Sequence, residues 1–271
     1  MNTTETREPA VAGKFYTAVA SKLRKEIEGY LAEPAAPMAR VVGVMVPHAG
    51  YIYSGAICGH ALASVEVPAS VLILHTKHHM GGGEFSLATF NRWRTPLGDV
   101  EADTTLARLL AGCEGVEESN FPHYQEHAAE VVIPFLQVLR PDVRVAAISV
   151  GRSDIETITG VGKAIGSALA GLESPPLLVA STDMNHYREH HETLTLDEIA
   201  LERLRAFDTA GMLEACERHD ITMCGANAMA LMLEASKLLG ATRVEQLEHT
   251  TSAPASGNYN QTVGYASARV L

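Results

Sequence analysis

The sequence is poor in cysteine, in basic residues and in long apolar runs. Its four cysteines, Cys58, Cys113, Cys216 and Cys224, are too few for a disulfide scaffold in 271 residues. Lys and Arg number 21 against 32 Asp and Glu, a net charge of -11. Phosphate contacts need a basic face, so no nucleic-acid partner is expected. No apolar run approaches the ~18 residues of a membrane span, and the opening stretch MNTTETREPAVAGKF has no apolar signal core. No membrane association is expected, and the cytoplasm is the predicted location. Thiols stay reduced there, so a functional cysteine is a metal ligand or a nucleophile. No linker rich in Pro, Gly or Ser divides the chain and no repeat is visible, which predicts one domain over 1–271.

What is present is ordinary apolar content, 46%, with 20% charged residues. That is enough to build a core and excludes a disordered chain. Four aliphatic runs stand out: VVGVMV at 41–46, SVLIL at 70–74, VRVAAISV at 143–150 and LLVAS at 177–181. They are nearly continuous rather than alternating, as in strands buried on both faces. Helical patterns lie before, between and after them, at 17–32, 126–139, 154–172, 196–207 and 226–239. Ser153, with Glu156 three residues on, reads as the N-cap of the third. Gly81–Gly83 and Thr250–Gln261 read as loops. Strands alternating with helices imply crossover connections. The predicted fold is an α/β/α three-layer sandwich around a largely parallel mixed sheet.

The twelve histidines are the informative excess. Three of the runs end in polar residues of one kind. The first leads into Pro47-His48-Ala49-Gly50-Tyr51, the second into His75-Thr76-Lys77-His78-His79, and the last into Thr182-Asp183-Met184-Asn185-His186. Ligands bind at the carboxyl edge of open α/β sheets, so adjacent parallel strands would bring these side chains into one crevice. Imidazoles with a carboxylate and a thiolate suit Fe, Zn or Cu rather than Mg or Ca. The competing reading is a hydrogen-bonded network without metal. Cys224 precedes the 226–239 helix, whose N-terminus would lower its pKa and favour the thiolate. Glu126 and Glu130 share one face of the 126–139 helix. With His127 they read either as a shell orienting metal ligands or as a solvated helix start. His190 and His191 read as a charged surface turn. Cys58, Cys113 and Cys216 read as inert.

These residues together resemble the Memo family, known in bacteria and archaea as AmmeMemoRadiSam system protein B. The likeness spans REPAVAGKFY at 7–16, VPHAGYIYSG at 46–55, KHH at 77–79 and TPLGDVEAD at 95–103. It continues through EHAAEVVIPFLQ at 126–137, STDMNHY at 181–187, TMCGANA at 222–228 and VGYAS at 263–267. The resemblance implies the fold of the catalytic subunit of class III extradiol dioxygenases. It implies metal ligation by His48, His78 and Cys224, with Asp183 and His186 as further polar residues and His186 at the acid/base position. The family's Cys replaces the dioxygenase carboxylate, so catechol ring cleavage is not implied. The chain departs from the family where Lys77 precedes His78 in place of Gly-Pro, setting a cation beside the expected metal, and where Ala128 replaces Ser. The doubled His78-His79 leaves the ligand open by one residue.

The expected function is redox or oxygenase-type chemistry on a small organic substrate at a non-haem Fe(II) site, with Cu or Zn also compatible. Asp183 would orient His186, and Tyr51 and Tyr53 would bond the substrate. The alternatives are a non-catalytic module for a peptide or protein partner, including a radical-SAM enzyme, and a zinc hydrolase.

Overall fold

A computed structural model describes residues 5–32, 38 and 41–271. In chain order the elements are β1 (Thr6–Arg7), α1 (Ala20–Leu31), β2 (Gly43–Val46), α2 (Tyr51–Ala63), β3 (Ser70–Thr76), β4 (Phe85–Leu87), β5 (Arg92–Thr95), β6 (Gly98–Glu101) and α3 (Thr104–Ala111). There follow β7 (Glu117–Glu118), α4 (Ile133–Leu139), β8 (Arg144–Val150), α5 (Ile155–Ala170), β9 (Leu177–Ser181), β10 (His186–Arg188) and α6 (His190–Arg205). The chain closes with α7 (Thr209–Arg218), α8 (Ala226–Leu238), β11 (Val244–Thr251), α9 (Ala253–Ser256) and β12 (Thr262–Val270).

The main sheet runs β10-β12-β2-β9-β3-β8-β4-β7, with β11 also paired to β12. Its centre, β2-β9-β3-β8, is parallel and consists of the four apolar runs. Antiparallel β12 and β4 flank it. Alternate side chains serve two cores. Val44, Val46, Val71, Ile73, Val145 and Val179 pack toward α1, α2 and α4. Met45, Leu72, Leu74, Ile148, Leu178 and Ala180 pack toward α5, α6, α7 and α8. Both faces are covered, which is why the runs show no polar alternation. Leu72 is 0% exposed, so truncation to Ala there costs about 2–5 kcal/mol. The α5–α8 contact needs glycine: a Cβ on Gly166 would lie 2.6 Å from the Ala235 carbonyl oxygen. No helix among the described residues is long and apolar enough to cross a membrane.

Four local expectations are corrected. The N-cap of α5 is Asp154, not Ser153; its carboxylate accepts the Thr157 N–H at 2.8 Å. The 126–139 helix is helical only over Ile133–Leu139. Glu126 takes the backbone N–H groups of His127 and Ala128 at 2.8 and 3.0 Å, which holds this stretch in turns, and Pro134 suits only the first turn of a helix. His190 and His191 open α6 rather than forming a turn, because Glu189 caps the N–H groups of His191 and Glu192. The 250–261 stretch holds the end of β11 and the short α9. The separate sheet β1-β5-β6 gives no signal in the sequence, because its strands are two to four residues long.

Candidate metal centre

In the sheet β9 lies between β2 and β3. The three polar strand ends therefore converge, as expected from the sequence. The turn before α8 adds Cys224. His48, His78 and Cys224 each offer a donor atom within 4.8 Å of the others, and His78, Glu126 and His127 form a second such group.

His48 is buried. Its Nδ1 lies 2.8 Å from Ser181 Oγ. The Ser181 proton goes to the Ala128 carbonyl at 2.6 Å. The hydroxyl must then accept from His48, so the ring proton sits on Nδ1 and Nε2 keeps its lone pair. That Nε2 lies 3.4 Å from Cys224 Sγ. Burial, helped by the neighbouring His78, pushes the His48 pKa down to about 3, which keeps the ring neutral. Asp183 Oδ1 accepts the His48 backbone N–H at 2.8 Å, and burial raises this carboxyl's pKa.

His78 follows β3 by two residues, so the loop after the strand, rather than strand alternation, aims it. Glu126 holds it from behind: Oε2 accepts its backbone N–H at 2.7 Å, and Oε1 pairs with Nδ1 at 2.9 Å. Nε2 is left free. Burial lowers the His78 pKa, but the Glu126 bond outweighs it and the net shift is upward. For Glu126 burial acts to raise the pKa, and the His78 bond and nearby imidazoles reverse this and hold it well below the usual carboxylate range. His79 is exposed and belongs to neither donor group among the described residues.

His127 stacks on His78, with centroids 4.6 Å apart and planes at 14°, and meets His48 edge-on at 5.4 Å. Burial, with His48 beside it, lowers its pKa to about 4. Glu130 does not join Glu126 on a helix face. It forms a buried ion pair with Arg7 and accepts the Ala10 N–H, the Val11 N–H and the Tyr16 hydroxyl at 2.8, 3.0 and 2.6 Å. These bonds dock the N-terminal segment, and Phe15 lies against His127 at 4.8 Å.

Several expected roles change. Helix α8 does not lower the Cys224 pKa. Burial, with the Asp183 charge nearby, raises it, and the Asp183 N–H donated to Sγ at 3.2 Å only partly offsets this. The N-terminal Gly225 N–H goes to Thr182 Oγ1, not to the sulfur. Asp183 does not bond His186. That ring donates Nδ1–H to the Thr222 carbonyl at 2.9 Å. Tyr51 is 1% exposed and its hydroxyl donates to the Val131 carbonyl, so it cannot meet a substrate. Tyr53 remains 42% exposed. Lys77 donates to the Gly82 and Gly83 carbonyls at 3.1 and 2.9 Å, which ties its ammonium to the glycine loop.

Behind the cluster, buried His75 and His123 face each other, Nε2 to Nδ1, at 3.1 Å. His75 Nδ1 lies 2.8 Å from the Thr76 carbonyl, and His123 Nε2 lies 2.9 Å from that of Ser86. His123 carries no spacing signal in the sequence. Only His75 carried a usable signal, its place at the end of a strand.

Residues 7–269 match the family described as Memo-like protein. A MEMO1 family protein of Methanopyrus kandleri is 38% identical over 274 residues, covering 96% of this chain and 97% of its own. Another from Pyrobaculum arsenaticum is 36% identical with the same coverage, and one from Methanothermobacter thermautotrophicus is 34% identical over 96% of this chain and 98% of its own. With likeness of this extent from one end of the described chain to the other, the protein belongs to the Memo family.

Proposed function

We propose that this protein holds a first-row transition metal between His48, His78 and Cys224, Fe(II) first with Cu or Zn as competitors, and acts on a small organic ligand bound beside it. The observation that carries this reading is the set of free donors: two imidazole nitrogens whose partner nitrogens are tied, and a thiol. Metal–nitrogen and metal–sulfur bonds of about 2.0 and 2.3 Å around a tetrahedral centre put N and S about 3.5 Å apart. The His48–Cys224 separation of 3.4 Å fits that requirement. A thiolate with two imidazoles suits these metals and not Mg or Ca. When bound, such a metal supplies Lewis acidity or electron transfer.

The rest is the work of the chain. Ser181 and Glu126 orient the two rings from behind, as partners of metal-bound histidines do. Asp183 fixes the His48 backbone. The Asp183 N–H donated to Sγ would support Cys224 as the thiolate that a metal ligand must be. His186, with Nδ1–H committed to Thr222, presents Nε2 to take a proton from the ligand. The chemistry we infer is redox or oxygenase-type.

A second reading, capture of a peptide, draws support from Tyr53, Met80 and Tyr187, which stand exposed close in sequence to His48, His78 and His186. Metal analysis of anaerobically purified protein separates the two. Near-stoichiometric Fe, lost in folded His48→Ala and Cys224→Ser, is expected for the first. Protein that takes up none of Fe(II), Cu(I) or Zn(II) on titration overturns it, and bound Zn with esterase or amidase activity replaces it with a hydrolase.

A further inference from the structure

His186 depends on a residue that no motif connects to it. Asp197, in α6, is fully buried. Its Oδ1 accepts the Asn185 backbone N–H at 2.8 Å, and its Oδ2 accepts His249 Nε2–H at 3.0 Å. Gly264 of β12 makes room for it, since a Cβ there would lie 1.9 Å from Oδ2. A buried carboxylate is retained only where such partners compensate its lost hydration.

The contact continues outward. Asn185 Oδ1 accepts the Thr222 backbone N–H at 3.1 Å and the Thr222 hydroxyl at 3.2 Å. Asn185 Nδ2 is buried and has no partner among the described residues. The residue is therefore used for its oxygen. A carboxylate would offer the same acceptor without the orphan donor, but it would set a second negative charge beside Asp197. Thr222 then holds His186 twice. Its Oγ1 accepts the His186 backbone N–H at 2.8 Å, and its carbonyl accepts the ring Nδ1–H at 2.9 Å. A carbonyl cannot donate, so in the neutral ring Nδ1 carries the proton and Nε2 is bare.

We propose that Asp197 is a positioning residue for the site: through Asn185 and Thr222 it fixes His186 as the Nδ1–H tautomer with Nε2 free for the ligand. The inference rests on the reading of His186 as the proton carrier, but its geometry is tested apart from it. A merely structural Asp197 would lower stability without moving the tautomer. A positioning Asp197 moves both.

The test is ¹⁵N-histidine NMR on the full chain, with the His186 ring assigned by its loss in His186→Gln. Wild type is expected to show Nδ1–H. Asp197→Ala should cut the Nδ1–H preference about tenfold, the worth of roughly one hydrogen bond. Asp197→Asn keeps an acceptor for the Asn185 N–H and should restore it. Should Asp197→Ala not fold, Thr222→Val serves instead: Thr222 is exposed, and the change removes both hydroxyl links. An unchanged His186 tautomer in the folded variants overturns the proposal. The proton-carrier reading fails on a different result, an unchanged pH profile of oxygen consumption by Fe(II)-loaded His186→Gln, whatever the tautomer.

Discussion

Two groups of histidines meet near the end of β3, and they follow opposite rules. In the front group each ring ties one nitrogen to an oxygen, and among the described residues the other has no nitrogen or oxygen partner, His48 Nε2 meeting only Cys224 Sγ. His48 is tied to Ser181, His78 to Glu126 and His186 to the Thr222 carbonyl. In the rear pair, His75 and His123, all four nitrogens are engaged. Two neutral rings carry two ring protons, yet the pair makes three contacts, and its two outer partners are carbonyls that can only accept. A neutral pair leaves one contact without a proton, and a shared cation satisfies all three. Burial lowers both pKa values and favours the neutral pair. An unengaged nitrogen, rather than burial or position after a strand, thus separates a candidate ligand from a structural prop.

The comparison breaks most readily at the free nitrogens. His48→Ala and Cys224→Ser should weaken Fe(II) or Zn(II) binding by more than ~100-fold, because changes behind the ligands alone cost about 10–100-fold. His123→Phe should leave the dissociation constant within about threefold, an expectation resting on the same distinction. Equal losses of affinity in a competition titration would erase the contrast.

Glu126→Gln sharpens it. Gln keeps one acceptor but cannot serve all the N–H groups that converge on Glu126 as strongly as a carboxylate does. Metal affinity should fall about 10-fold or more, read by the same titration.

The rear pair should register in stability instead. His75→Asn or His123→Phe leaves a buried acceptor unpaired, and urea unfolding should show a loss of about 1–3 kcal/mol.

Acid should act on both groups, because burial lowers the pKa values of His75 and His123 as it does those of His48 and His127. His48 and His127 sit at about 3 and about 4 in the fold against an ordinary value of 6.5. Between those values the unfolded chain binds more protons than the folded one. Their contribution is therefore complete above pH 6.5 and declines as pH falls through the folded values. The raised pKa of His78 acts in the opposite sense, through a bond that weakens as pH rises past it. Thermal melts of metal-free protein should lose stability progressively below pH 6.5, and the fall should be shallower in His127→Gln.

The smallest effect belongs to His79, exposed and outside both donor groups. His79→Ala should change stability by less than about 0.5 kcal/mol and leave metal uptake unaltered. A loss of metal in that variant would reassign the ligand by one residue.

The sheet was the legible part. Runs such as SVLIL are readable because burial on both faces leaves a continuous apolar signature. The 126–139 segment was misread because helical spacing is a local pattern. The Glu126 carboxylate overrides it by binding the N–H groups of His127 and Ala128, together with the backbone N–H of His78 48 residues away. Cys224 was placed correctly beside a helix N-terminus but given the wrong pKa direction. The sequence displays the helix and hides the burial. Asp197 and His123 give no signal, since a lone Asp in an amphipathic helix reads as a solvent-facing residue and no spacing ties His123 to the strand ends.

By itself the sequence determined the parallel centre of the sheet, the two-sided core and the polar residues delivered at three strand ends. Side-chain alternation and strand length are local, and chain order carries them. Only the tertiary structure decided which histidine nitrogens stay free. His48 is oriented by Ser181, 133 residues away, and His186 by Thr222, 36 residues away. A ring's tautomer depends on the partner it meets, and the fold chooses that partner.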